Sequence, residues 1–272
     1  MEVNEGTIRT VSRKDIITLF GLGDLHTASA AFEEKRCNEA ISYIAETPNS
    51  RWIGMGDLGE CINIKDKRFD QKCVREPFRS NLHIYYQLEA RELEKLLAPI
   101  ADKCFGILVG NHEDKLRQNY GYDLTMELCD RFGWKNLSME AGLWLNIQRQ
   151  GGHNSVITIF ATHGYGGGRT VGQAINKLMN TSADFEANIY MMGHDHKQGA
   201  ANGEKMALSK KGGELGLKQV PQKFVLVPSF HKTYQVGMDN YGAKRLYKPS
   251  VLGIAEIQLR DKNDEWEIKT II

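Results

Sequence analysis

Five short blocks in this chain carry the residue types from which a metal centre is built. They are Asp24 and His26 in GDLH, Asp57 in GMGDLGE, Asn111 and His112 in VGNHE, His163 in ATHG, and His194 and His196 in MMGHDH. Every donor is a carboxylate, an amide oxygen or an imidazole, and no thiolate is among them. Such a set suits Mn²⁺, Fe²⁺/Fe³⁺ or Zn²⁺. Two such ions about 3.5–4 Å apart can grip both the attacking and the leaving oxygen of a phosphoryl transfer, and a shared carboxylate has the two oxygens needed to hold them there. Five of the eight histidines fall in these blocks, while His83, His153 and His231 do not. A lone histidine is more often structural than a ligand, so the ordered set carries the inference. Gly23, Gly56, Gly110, Gly164 and Gly193 flank the donors and permit tight turns.

The blocks sit where apolar runs end. Residues 16–23 (IITLFGLG), 51–54 (RWIG) and 104–109 (CFGILV) read as short buried strands, each followed by donors. In open α/β sheets, sites assemble at the carboxyl ends of strands. Between these runs, residues 32–47 carry Phe32, Cys37, Ala40, Ile41, Ile44 and Ala45 at helical spacing, and Pro48 stops them. Residues 81–98 repeat the pattern with Leu82, Tyr85, Tyr86, Leu93, Leu96 and Leu97. The resulting β-α-β-α-β alternation predicts a layered sheet with crossover helices. Further on, the spacing predicts helices over 123–132 and 171–179 and strands over 143–148, 155–161, 187–192 and 224–227. A closing hairpin is predicted from 251–259 and 265–271. No repeat or composition break divides the chain, so a single domain over 1–272 is expected. The charged stretch 61–79 reads as a surface excursion, and the Gly- and Lys-rich stretch 197–222 as a mobile loop or flap, a kind of segment that is often functional.

Bulk properties bound the partners. The chain has 272 residues, of which 41% are hydrophobic and 25% charged, an ordinary globular composition with enough apolar material for a core. A net charge of +1 makes no bulk case for nucleic acid or membrane, although a local basic stripe can sit on a neutral protein. No run approaches the roughly 18 apolar residues of a spanning helix. Residues 1–15 lack an apolar h-region, so no secretory signal is expected. Five cysteines, an odd number with no C-x-x-C pair, point to reduced thiols in a cytoplasmic protein.

Taken in order, GDLH, GMGDLGE, VGNHE, THG and GHDH resemble the five signature blocks of the calcineurin-like metallophosphoesterase superfamily. The resemblance runs from Asp24 to His196, about two thirds of the chain. It implies an α/β (α+β layered) fold, a β-sandwich flanked by helices, with two divalent or trivalent transition-metal ions, manganese first and iron or zinc as alternatives. It places Asp24, His26 and His196 on one ion and Asn111, His163 and His194 on the other, with Asp57 shared. His112 would be no ligand. It would stand by the substrate phosphate, stabilising charge or protonating the leaving oxygen, while a hydroxide held between the ions attacks phosphorus. The stretches HGYGGGR, PSFHKTY and YGAKRLYKPSVLG, at 163–169, 228–234 and 241–253, are similar to phosphoesterases common in phage and prophage genomes, which implies a host cytoplasm.

One departure narrows the substrate. The protein Ser/Thr phosphatase branch carries an arginine shortly after the bridging aspartate, in GDxxDRG, whereas residues 56–61 here read GDLGEC. A phosphodiester is therefore expected: a DNA or RNA strand, or a cyclic or dinucleotide. The alternatives are a phosphomonoesterase or nucleotide pyrophosphatase with the same metals, and a metal-binding partner scaffold, which has no need of the full donor set. Tyr165 and Arg169 are candidate substrate contacts, since arginine suits bidentate phosphate binding, although a solvated arginine at a helix start reads equally well. Glu113 reads as a partner of a ligand imidazole or as a surface ion-pair residue. Asp195 is expected to point away from the donors, Lys115 and Arg117 to face solvent, Tyr85 and Tyr86 to be core, and His231 to be structural.

Overall fold

The computed structural model describes residues 1–62, 65–150, 154–211, 213–237, 241–262 and 265–271, so His153 lies outside the described residues. Two sheets face each other. One has six strands in the order β1 (Glu2–Thr10), β5 (Glu140–Arg149), β6 (Ser155–Thr162), β7 (Ile189–Met192), β9 (Glu214–Leu226) and β8 (Gly199–Lys211). The other has five, in the order β11 (Glu265–Ile271), β10 (Ala255–Lys262), β2 (Ile17–Leu22), β3 (Ser50–Gly54) and β4 (Cys104–Ile107). Strands β2, β3 and β4 run parallel, and so do β6, β7 and β9.

Side-chain alternation explains the layers. Strand β2 sends Ile17 and Leu19 into the space between the sheets and Phe20 and Leu22 outward; β7 sends Ile189 and Met191 inward and Tyr190 and Met192 outward. A strand buried on both faces reads as a continuous apolar run, which is why these short segments are legible. The outward side chains of the five-stranded sheet pack on Cys37, Ile41 and Ile44 of α1 (Glu34–Glu46), Leu93 and Leu97 of α2 (Tyr85–Leu97), Leu116 of α3 (Asn111–Tyr120) and Leu128 of α4 (Leu124–Phe132). Those of the six-stranded sheet pack on Ala174, Ile175 and Leu178 of α5 (Val171–Thr181). The product is the expected β-sandwich flanked by helices. No helix among the described residues is long and apolar enough to cross a membrane.

Residues 2–10, which carry too few apolar positions to announce a strand, form β1, and only Ile8 and Thr10 of it are buried. Of the two readings of 197–222, the loop gives way to a hairpin: β8 and β9 pair antiparallel from Gly199↔Leu226 to Lys211↔Glu214. Leu208, Leu215 and Leu217 on its outer half are exposed, so the lysine-rich composition reflects solvent on both faces rather than lack of structure. In the stretch 61–79, Val74 and Phe78 are buried against Ala28 and Tyr85 in a small core of their own.

Candidate metal centre

Both sheets end at the same place, and their parallel strands deliver the donors there. Asp24 and His26 follow β2, Asp57 follows β3, and Asn111 and His112 open α3 after β4; His163 follows β6, and His194 and His196 follow β7. The loops after β2 and β3 are zipped by Asp24 N–H to Gly56 O (2.9 Å) and His26 N–H to Asp57 O (3.2 Å). Gly110 is obligatory, because a Cβ there would lie 2.1 Å from Asp57 N and Oδ1. Asp24, His26, Asp57, His194 and His196 all take left-handed φ values, between 48° and 64°. Backbone strain of about 1–3 kcal/mol per residue persists only where surroundings enforce it, and it clusters at functional sites.

The donors fall into two trios. In the first, His196 Nε2 lies 3.2 Å from Asp24 Oδ1 and 3.3 Å from His26 Nε2. In the second, His163 Nε2 lies 3.3 Å from Asp57 Oδ2, and His194 completes the group with its ligand atoms within 4.8 Å of one another. Asp24, His26, Asp57 and His163 are buried, whereas Asn111, His194 and His196 are half-buried and give the site its opening to solvent. A further group of His26, Glu60 and His112 also has the spacing of a metal site.

The second layer of contacts fits these atoms for a cation. His163 donates Nδ1–H to Met55 O (2.7 Å) and His194 donates Nε2–H to Gly166 O (2.6 Å), so each turns its other nitrogen to the trio. Anchoring the far ring nitrogen in this way is how ligand histidines are oriented. His26 Nδ1 lies 3.0 Å from Glu60 Oε2 without a hydrogen bond, and its Nε2 faces His196. The Asn111 side-chain amide reaches the second trio, 2.8 Å from His194 Nδ1, 3.2 Å from His163 Nε2 and 3.3 Å from Asp57 Oδ2. In the first trio the buried Asp24 Oδ1 has no hydrogen-bond partner among the described residues. An orphaned buried carboxylate oxygen among imidazole and oxygen donors fits a metal.

Electrostatics agree. Burial pushes Asp57 up, but His163 and His112 outweigh it and hold the carboxyl well below its usual range. Burial opposes a charged His163, yet Asp57 and Asp24 raise it to about 10, while burial drives His26 and His112 down to about 4. Asp24 likewise outweighs burial at His196 and raises it, whereas burial lowers His194, so the two buried carboxylates draw positive charge to one imidazole of each trio.

Several residues have roles that sequence reading misses. Glu113 is neither an imidazole partner nor a surface ion-pair residue. It is buried and accepts from the backbone N–H groups of Asp57, Gly59 and Gly110, each at 3.0 Å. Glu89 of α2 similarly accepts from Ala28 N (3.2 Å) and Glu60 N (2.5 Å), tying the first two loops together. Removing Glu113 strands three buried donors at about 1–3 kcal/mol each. Glu113→Ala is therefore expected to lower urea stability by about 3 kcal/mol or more and to weaken metal binding, and an unchanged midpoint would refute the clamp.

Arg68, from the segment after β3, places Nη1 2.8 Å from His112 Nε2. His231 packs its ring 5.0 Å from that of His26, with Nε2 3.1 Å from Ser29 Oγ, so it borders the first trio. Asp195 turns away as expected, pairing with Lys177 (2.7 Å) and accepting from Gly168 N. Tyr165 and Arg169 are exposed, with Lys177 over the Tyr165 ring and the Arg169 backbone donating to Gln173; neither joins the two trios. Tyr85 is core and Tyr86 stacks on Tyr122.

No family model matches the chain, and no curated protein matches it. Among solved structures it is similar to a conserved Streptococcus pneumoniae TIGR4 protein described as a predicted phosphoesterase, with a TM-score of 0.36 at 11% identity, covering 94% of this chain and 90% of that one. Wild-type Vps29 from Entamoeba histolytica, complexed with zinc, gives a TM-score of 0.37 at 11% identity over 94% and 98%. GAP50, the anchor in the inner membrane complex of Plasmodium, gives 0.45 at 12% identity over 94% and 84%. Likeness at this level assigns neither residues nor chemistry to this chain.

Proposed function

We propose that the chain is a metal-dependent phosphoesterase that hydrolyses phosphodiesters. The observation that carries the reading is the grouping of Asp57, His163 and His194, with the Asn111 amide against them, beside a second trio of Asp24, His26 and His196. Asp57 is assigned as the shared carboxylate, and manganese as the first metal to try. When bound, two such ions acidify water and neutralise phosphate oxygens.

The chain's own residues supply the rest. Buried Asp24 and Asp57 balance the cations, and Glu113 and Glu89 hold the loops that carry them. His112, fixed by Nδ1–H to Glu60 O (2.5 Å) and by its backbone N–H to Asp57 Oδ1 (2.9 Å), is assigned to the leaving oxygen through its Nε2. The absence of an arginine directly after Asp57, where residues 56–61 read GDLGEC, supports the diester over the monoester or pyrophosphate alternatives. The tail stretches similar to phage phosphoesterases extend the proposal to a host-cytoplasm setting.

The deciding experiment is turnover of bis-p-nitrophenyl phosphate against p-nitrophenyl phosphate on Mn²⁺-loaded protein, with Asp57→Asn as control. Diester preference that vanishes in the control supports the proposal; monoester preference replaces it with a phosphatase; bound metal with silence on both esters replaces it with a partner scaffold. Salt then sorts the diesters, because a nucleic-acid strand loses affinity steeply as salt rises and a small diester does not.

A further inference from the structure

We propose that Arg68 is a substrate-binding residue: it caps His112 Nε2 while the site holds no ester, and passes that N–H to a phosphate oxygen when one arrives. The inference rests on the phosphoester reading and names a residue that the five motif blocks do not contain. His112 Nδ1 faces a carbonyl oxygen, Glu60 O, so it carries the ring proton and Nε2 is the lone pair. The guanidinium Nη1 therefore donates to Nε2 at 2.8 Å. In that arrangement His112 Nε2 holds no proton for a departing oxygen; Arg68 must let go, and Nε2 must take up a proton from solvent, before it can donate one.

The guanidinium is held ready for the exchange. Asp66 Oδ1 accepts from Arg68 Nε (3.0 Å) and from the Arg68 backbone N–H (2.9 Å), and Asp66 Oδ2 accepts from Nη2 (2.8 Å). This two-residue clip fixes the plane of the group while its charge stays balanced. Of the five N–H bonds of a guanidinium, two go to the Asp66 carboxylate and one to His112, and two have no partner among the described residues. The side chains of Arg68 and Asp66 are 19% and 17% exposed, so an ester can reach them. A neutral pair with directed donors suits a monoanionic diester, which offers two non-bridging oxygens but little net charge. The chain thus brings a guanidinium to the site from eleven residues beyond Asp57, where no arginine follows that aspartate directly.

The test compares wild type with Arg68→Ala, Arg68→Lys and Asp66→Asn in Mn²⁺-loaded form. It reads kcat and KM on bis-p-nitrophenyl phosphate and titrates inorganic phosphate calorimetrically. Imidazole ¹⁵N shifts of His112 are read in the metal-free proteins. The expected results for Arg68→Ala are unchanged metal content, a KM and a phosphate Kd each raised about 10-fold or more, the range of a lost charge-assisted hydrogen bond, and a shifted His112 Nε2 resonance. Arg68→Lys should recover part of the affinity, and Asp66→Asn should show a smaller loss of the same sign. Phosphate affinity and His112 resonances both unchanged in Arg68→Ala would overturn the proposal. A wild type that binds phosphate but turns over no ester would instead remove the phosphoester reading, leaving the phosphate titration to decide on Arg68.

Discussion

An Asp57→Asn protein will keep its fold and lose metal and turnover together, with kcat/KM for bis-p-nitrophenyl phosphate down by about 10²- to 10³-fold or more, the range for removing one preorganised charge-stabilising group. The substitution is nearly isosteric, and asparagine tolerates the left-handed backbone (φ 49°) that this position requires. The hydrogen bond from His112 N–H to Oδ1 can also survive. What changes is Oδ2, which lies 3.3 Å from His163 Nε2 and 3.3 Å from the Asn111 side-chain amide. An amide there either keeps a neutral oxygen in place or turns N–H toward the cation position. Elemental analysis after reconstitution should show a fall of at least one ion per chain, alongside an unchanged circular dichroism spectrum. Full metal content with an undiminished rate would remove Asp57 from the centre.

The strand-end donors are legible in the sequence because two regularities coincide there. A short apolar run with neighbours on both faces announces its own end, and few residue types can hold a hard or borderline cation. Once β2, β3 and β4, and likewise β6 and β7, are recognised as buried strands, parallel pairing carries His26, Asp57 and His112 to one edge and His163 and His196 to the edge facing it. Contacts that depend on how loops stack across the sheet are not legible. Glu113 acts on Asp57 and Gly59 because Gly110 lets two loops lie flush, which turns three N–H groups toward one carboxylate. That convergence follows from the assembled loops and has no counterpart in local spacing.

Arg68 and His231 are hidden for a related reason. The first sits in a charged stretch whose composition says only "surface", and its placement depends on Val74 and Phe78 anchoring that stretch against Ala28. The second lies in a late loop brought to the site by an isolated bridge between Phe32 and His231. Strand β1 escapes because pairing with β5 at a sheet edge, from Glu2↔Ala141 to Thr10↔Arg149, asks for only two buried side chains in nine residues. The β8–β9 hairpin escapes because its outer half has no buried face from which a period of two could be read. Hydrophobic pattern reports burial, and where an element forms without burial the pattern is silent.

His112→Ala is expected to leave the metals in place and slow turnover by about 10²- to 10⁴-fold, the usual loss for an acid–base group. His112 stands at the first turn of α3 with its backbone N–H on Asp57 Oδ1 and its ring 4.6 Å from that of His26, outside both trios. Its Nε2 is 4.0 Å from Asp57 Oδ2, close enough to share the reacting phosphate and too far for a hydrogen bond to the carboxylate. The spacing of His26, Glu60 and His112 allows a different reading, in which His112 is itself a ligand. Metal analysis separates the two: content preserved with a slow rate assigns His112 to the leaving group, whereas content lost with the rate makes it a ligand. The size of the defect should also depend on the ester. A p-nitrophenolate departs without much help, so the deficit should be smallest on the chromogenic diester and largest on one whose leaving group is an alkoxide, such as a nucleoside hydroxyl. A metal-loaded variant with equal rates on both would leave no place for proton transfer by His112. The side chain would then serve only to pack edge-on against His26 and to receive Arg68.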